Sequence, residues 1–110
     1  NNTNCSIDSF CEMVARTAEI MNVDNIGIGS DLCLNQPDEV VDWMRNGTWS
    51  KNKNYGEGSK NKAGFPEQPN WFKDARGFKN LEKGFKKVGF SDNETNGILG
   101  NNWYNFYKKI

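Results

Sequence analysis

Asp31 is the strongest candidate for chemistry in this sequence of 110 residues. It closes the segment 27–31, which reads Gly-Ile-Gly-Ser-Asp. A carboxylate beside a bound substrate can take a proton from an attacking water and pass it to a leaving amine. Aspartate is also common in the turns that follow strands, so the alternative is that Asp31 is only a turn residue.

The sequence contains no histidine, which excludes several kinds of site. Histidine is the commonest metal ligand and a frequent general base, so the chain alone cannot form a Ser-His-Asp triad or a histidine-rich zinc site. Without a base to activate it, Ser30 is interpreted as a turn hydroxyl rather than a nucleophile. Cys5, Cys11 and Cys33 lack Cys-x-x-Cys spacing and are expected to be ordinary thiols.

The charge balance argues against a nucleic-acid partner. The 14 basic and 14 acidic residues cancel, and the lysines are spread along the chain rather than gathered in one patch. No apolar run approaches the roughly 20 residues that a membrane span needs.

The first half of the chain predicts helix, strand and helix in succession, which is typical of an α/β fold. Apolar residues recur at helical spacing over 7–22, with Ser6 as a suitable N-cap. The Ile- and Gly-rich residues 25–29 predict a strand covered on both faces, as in a parallel sheet. A second helix is expected over 37–46, because proline suits its first position.

The second half predicts a long loop followed by helices. Residues 48–72 combine Gly, Pro, Lys and Asn with five aromatic side chains, which favours an ordered loop over a flexible linker. Leu81, Phe85 and Val88 lie on one face of a predicted helix that Gly89 is expected to end. Residues 91–94 form a capping box that opens the next helix, and Asn102 is expected to cap the last one. The last helix is expected to carry an apolar stripe made by Trp103, Phe106, Tyr107 and Ile110.

The predicted strand places Asp31 at its carboxyl end. Side chains alternate along a strand, so Gly27, Gly29 and Asp31 share one face, while Ile26 and Ile28 share the other. The two glycines leave space on their face, and we expect Asp31 to lean over it. In barrel enzymes the catalytic groups lie at this end of the strands.

One strand cannot satisfy its own backbone hydrogen bonds and needs neighbours. We therefore expect residues 1–110 to be the C-terminal part of a single domain whose N-terminal part lies outside this sequence. A homo-oligomer that shares strands is the alternative source of those neighbours.

Three stretches of the chain resemble the family of zinc dipeptidases that includes membrane (renal) dipeptidase. Residues 27–31 look like the family's G-x-G-S-D element. Residues 89–94 (Gly-Phe-Ser-x-x-Glu) and residues 98–103 (Ile-Leu-Gly-Asn-Asn-Trp) look like its closing stretch. The chain departs from the family at residues 32–34, which read Leu-Cys-Leu where many members have an aromatic residue, a second aspartate and glycine.

This resemblance implies the C-terminal portion of a (β/α)8 TIM-like metallohydrolase barrel, with one barrel strand, about four helices and a long loop. It implies hydrolysis of dipeptides or similar small amides with two zinc ions, whose ligands lie outside this chain, so the chain alone is expected to be inactive. Asp31 is then the catalytic residue. The substrate pocket is expected to include Ser30, Leu32 and Tyr55.

The aromatic residues of the loop 48–72 predict that it packs over the barrel mouth or a neighbouring subunit. Its expected anchors are Tyr55, Trp71 and Phe72.

A second class of function is a small binding module without catalytic activity. In that hypothesis the aromatic side chains form a flat binding platform. Its members would be Trp43, Trp49, Tyr55 and Trp71.

Overall fold

The computed structural model describes residues 5–32, 34–37, 39–40, 43 and 68–110. The chain forms two compact units, one made by residues 1–31 and 69–110 and the other by residues 32–68. The regular elements of the first unit are helices, with bounds α1 Ile7–Met21, α2 Phe78–Lys87, α3 Asp92–Asn96 and α4 Asn102–Lys108. Shorter helical turns are Val23–Asn25, Ala75–Gly77 and the π turn Gly97–Asn101.

The predicted α/β fold, with its strand of a (β/α)8 barrel, is wrong: the described residues contain no strand. Residues 26–30, where the strand was expected, have no regular secondary structure. A strand requires hydrogen bonds to the backbone of a neighbouring strand. Here the carbonyls of this segment accept hydrogen bonds from side chains instead. Asn102 donates to the carbonyls of Val23 and Ile26, and Trp103 donates to that of Ile28.

Helix α1 begins as predicted. The hydroxyl of Ser6 accepts a hydrogen bond from the backbone N–H of Ser9 at 3.1 Å, which makes Ser6 the N-cap. The buried face of the helix carries Cys11 and Val14. The helix ends one residue earlier than expected, because Asn22 has a positive φ of 70°.

The core of the first unit lies where α1 packs against α2. Its buried apolar side chains come from five segments: Cys11, Val14, Ile26, Phe72, Leu81, Phe85 and Ile98. Gly84 allows the two helices to approach closely, since a methyl group there would lie 2.6 Å from the sulfur of Cys11. At the solvent edge, Lys87 of α2 pairs with Asp8 of α1 at 2.8 Å.

Gly89 ends α2, as the sequence predicts. Its φ of 107° lies in the left-handed region, and its N–H donates to the carbonyl of Lys86 at 3.1 Å. The N–H of Phe90 donates to the carbonyl of Phe85 at 3.1 Å, which completes a Schellman motif. The rings of these two phenylalanines meet edge to face, with their centroids 5.8 Å apart.

The predicted capping box at the start of α3 is confirmed. The N–H of Glu94 donates to the hydroxyl of Ser91 at 3.1 Å, and the N–H of Ser91 donates to the carboxylate of Glu94 at 2.8 Å. The π turn then carries the chain directly into α4, with a kink at Gly100.

Trp71 and Phe72 anchor the end of the predicted loop within the helices of their own unit, not at a barrel mouth. The indole N–H of Trp71 donates to the carbonyl of Cys5 at 2.9 Å, and its ring lies 5.4 Å from that of Phe10. Phe72 is buried and meets the ring of Phe78 edge to face at 5.0 Å.

The second unit contains part of the helix predicted for residues 37–46. Glu39, Val40 and Trp43 are helical, and the N–H of Val40 donates to the carbonyl of Pro37 at 3.0 Å. The other positions of that prediction from residue 41 onwards, and the loop residues 48–67, lie outside the described residues.

The apolar stripe predicted for the last helix exists, but it faces solvent. Exposed fractions rise from 42 % at Trp103 through 55 % at Phe106 and 65 % at Tyr107 to 85 % at Ile110. The ring of Trp103 stacks on that of Tyr107 at 6.0 Å. Within the described parts of the chain, no helix combines the length and apolarity needed to cross a membrane.

Candidate functional site

Asp31 closes the first unit at the end of the irregular segment 26–31. Its side chain is exposed, and its φ of 48° lies in the left-handed region, which aspartate tolerates better than most residues. This positive φ turns the backbone, so the strand-like alternation that predicted the direction of Asp31 does not extend to it. Ile26, by contrast, is buried as that alternation predicted.

Asn102 holds the beginning of this segment. Its side-chain amide donates two hydrogen bonds, to the carbonyl of Val23 at 2.9 Å and to that of Ile26 at 2.8 Å. The sequence predicts a helix-capping role for this asparagine. In the structure its side chain instead joins the start of α4 to residues 79 and 76 positions earlier in the chain.

Trp103 holds the middle of the segment. Its indole N–H donates to the carbonyl of Ile28 at 3.2 Å. A methyl group on Gly27 would overlap the indole, lying 2.7 Å from Cε2 and 2.8 Å from Cδ1. The free space expected beside both glycines is therefore found only at Gly29, where a methyl group would meet nothing within 4 Å.

The π turn brings Asn102 into position. Gly97 opens this turn, and a methyl group there would lie 2.8 Å from the side-chain oxygen of Asn102. The absence of a side chain at Gly97 thus leaves room for the amide. No pattern in the sequence marks a π turn, so the two anchoring residues could not be identified from spacing.

Two of the three predicted pocket residues, Ser30 and Leu32, are among the described residues. Ser30 is exposed beside Asp31, whereas Leu32 is half-buried and belongs to the second unit. Tyr55 lies outside the described residues. The structure therefore places Ser30 with Asp31 and leaves the rest of the predicted pocket as a prediction.

A groove of about 800 Å³ lies between residues 24–27 and α4. The lining residues from the C-terminal part of the chain include Asn102, Trp103, Phe106, Lys108 and Lys109. Asp31 does not line this groove, so the groove and the candidate catalytic residue are separate features.

The described residues do not fit a zinc site. No three His, Cys, Asp or Glu side chains among them lie close enough together to hold a metal ion. Of the thiols described, Cys5 is exposed and Cys11 is buried. Burial raises the pKa of the Cys11 thiol, with the neighbouring Asp8 adding to the effect, and a protonated thiol is a poor metal ligand.

Two of the four aromatic residues of the alternative hypothesis, Trp43 and Trp71, are among the described residues. Trp71 is packed against α1, in the first unit. Trp43 is largely exposed but belongs to the second unit. Trp49 and Tyr55 lie outside the described residues.

Comparison of the chain with models of protein families, with curated proteins and with solved structures found no match. A functional assignment therefore depends on the sequence motifs and on the contacts between them. Two of the three stretches that carry the dipeptidase resemblance, residues 27–31 and 98–103, contact each other through Trp103 and the backbone at Gly27 and Ile28.

Proposed function

We propose that this chain is part of a hydrolase of dipeptides or similar small amides, in which Asp31 is the catalytic residue. The contact between residues 27–31 and 98–103 carries the proposal. These stretches are about 70 positions apart in the sequence, and each resembles the same family. Their contact brings two motifs that resemble one family into the same part of the fold.

Asp31 has the chemistry that such a reaction requires. An ionised carboxylate can accept a proton from the attacking water and return it to the amine that leaves. Asp31 is exposed, so a substrate can reach it. Asp31 makes no hydrogen bond or ion pair with other described residues that would occupy its carboxylate.

The zinc ions implied by the resemblance are proposed to be bound by residues outside this chain, because the sequence contains no histidine. The exposed apolar stripe on α4 supports the proposal that this chain packs against a further part of the protein. Exposed patches of this kind usually mark contact surfaces. Accordingly, purified residues 1–110 with added zinc are expected to show no dipeptide hydrolysis.

The test is the substitution Asp31→Asn in the intact protein. It keeps the size of the side chain and removes the base, so turnover should fall by about two to four powers of ten. Zinc content and the unfolding temperature should stay at wild-type values.

Asp24→Asn is the matched control, because Asp24 is another exposed aspartate of the same unit and no role is proposed for it. Its turnover should equal that of the wild type. If Asp31→Asn keeps wild-type turnover, Asp31 is only a turn residue. If the intact protein hydrolyses no dipeptide at all, the proposed function itself is wrong.

A further inference from the structure

The segment that carries Asp31 lacks the support that a strand would have. Residues 26–30 form no regular secondary structure, and side chains from α4 take up two of their carbonyl groups. Asp31 itself makes no hydrogen bond or ion pair with another described residue. Its position therefore depends on the backbone on both sides of it, and the preceding side is the one that α4 contacts.

We infer that Asn102 and Trp103 are positioning residues for Asp31, an inference that rests on the proposed function for its catalytic consequence. Asn102 donates hydrogen bonds to the carbonyls of Val23 and Ile26, and Trp103 donates one to the carbonyl of Ile28. The last of these anchors lies three residues before Asp31. Losing either anchor removes hydrogen bonds that hold the backbone leading to the carboxylate.

Gly27 also contributes to this anchoring, because it leaves room for the indole of Trp103. The indole of Trp103 occupies the space that a side chain at position 27 would need. A methyl group there must push the indole away, which weakens its bond to the carbonyl of Ile28. Gly29 provides a matched comparison two residues further on, because a methyl group at that position meets nothing within 4 Å.

The test uses two variant and control pairs in the intact protein. Asn102→Asp replaces the amide donor with a carboxylate facing two carbonyls, and Asn101→Asp makes the same change at the exposed neighbouring position. Gly27→Ala displaces the indole, and Gly29→Ala does not. Trp103→Phe, which keeps a ring and removes the N–H donor, serves if Asn102→Asp does not fold.

The first readout needs no activity. NMR relaxation should show backbone order parameters for residues 28–31 falling from about 0.85, typical of a rigid backbone, towards about 0.6 in Asn102→Asp, Trp103→Phe and Gly27→Ala. Asn101→Asp and Gly29→Ala should leave them unchanged. Unchanged order in the three anchor variants would overturn the inference.

The second readout is kcat, measured with and without Asp31. Misplacing a reacting group by about 1 Å costs up to about 10²-fold in rate, so the anchor variants should lower kcat by up to that factor and change KM little. In the Asp31→Asn background the same substitutions should lower kcat no further, because their effect passes through Asp31. An equal loss in both backgrounds would overturn the positioning role.

These readouts separate the two hypotheses. If the intact protein hydrolyses no dipeptide, the proposed function fails, while the order parameters still decide whether Asn102 and Trp103 fix the segment. If activity is present but the order parameters do not change, the positioning inference fails alone.

Discussion

At the scale of single residues, Asn102 and Thr95 differ in whether their polar side-chain groups form hydrogen bonds. Asn102 has both hydrogens of its side-chain amide engaged by carbonyls. Thr95 is fully buried, and its hydroxyl has no hydrogen-bond partner among the described residues. A buried hydroxyl without a partner costs about 1–3 kcal/mol.

Replacing Thr95 with valine is therefore expected to stabilise the protein. The change Thr95→Val keeps the branched shape and removes the unpaired hydroxyl, so the free energy of unfolding should rise by about 1 kcal/mol. Urea denaturation measures this difference. As a control, Thr17→Val should give no gain, because the hydroxyl of Thr17 donates to the carbonyl of Met13 at 2.9 Å. A loss of stability in Thr95→Val would show that the hydroxyl is satisfied.

At the scale of secondary-structure elements, short-range interactions between neighbouring residues determine where the helices begin and end. The capping box at residues 91–94 and the glycine at position 89 act within a few residues of the helix ends that they define. The packing of α1 on α2 depends instead on contacts between distant residues. There Gly84 lies against Cys11 and leaves no room for a side chain.

The substitution Gly84→Ala is expected to destabilise the packing of these two helices. Alanine gains about 1 kcal/mol in helix propensity, but overpacking costs about 1–3 kcal/mol. The new methyl group would lie 2.6 Å from the sulfur of Cys11 and 3.3 Å from Cγ1 of Ile7. We expect a net loss of about 1 kcal/mol in unfolding free energy, measured by urea denaturation.

A double-mutant cycle checks the cause of that loss. Cys11→Ala removes the sulfur that the new methyl group would meet, so it should cost less stability in the Gly84→Ala background than in the wild type. Equal costs in both backgrounds would mean that Gly84 and Cys11 do not interact in this way.

At the scale of the whole molecule, Asp74 links the acid stability of the fold to one local interaction. The side chain of Arg76 donates hydrogen bonds to the Asp74 carboxylate, and the backbone N–H of Arg76 adds another at 2.9 Å. These bonds lower the pKa of Asp74 from 3.8 to about 2. The interaction stands just before α2, where the segment carrying Trp71 and Phe72 joins the helices.

A carboxyl group whose pKa is lower in the folded state than in the unfolded state stabilises the folded state once it is ionised. The contribution of Asp74 is therefore complete above pH 3.8 and is lost as the pH falls through about 2. The difference in urea midpoint between the wild type and Asp74→Asn should be largest above pH 4 and should shrink towards pH 2. A difference that is the same at pH 6 and pH 2 would contradict this assignment.

The sequence by itself determined the features that depend on neighbouring residues. These include the N-cap at Ser6, the capping box at residues 91–94 and the end of α2 at Gly89. The ion pair between Lys86 and Glu82, with 3.2 Å from Nζ to Oε1, forms because the two residues are four positions apart on one helix. Each such feature forms between residues that are at most a few positions apart, so local spacing is sufficient to predict it.

Only the tertiary structure decided what happens to residues 26–30. Their composition is that of a buried strand, but a strand also needs a backbone partner, and that partner is not specified within the segment. Here the carbonyls of Ile26 and Ile28 are taken by Asn102 and Trp103, more than 70 positions away in the sequence. The direction of Asp31 depends on this long-range contact and on its own positive φ, so alternation along a predicted strand could not reveal it.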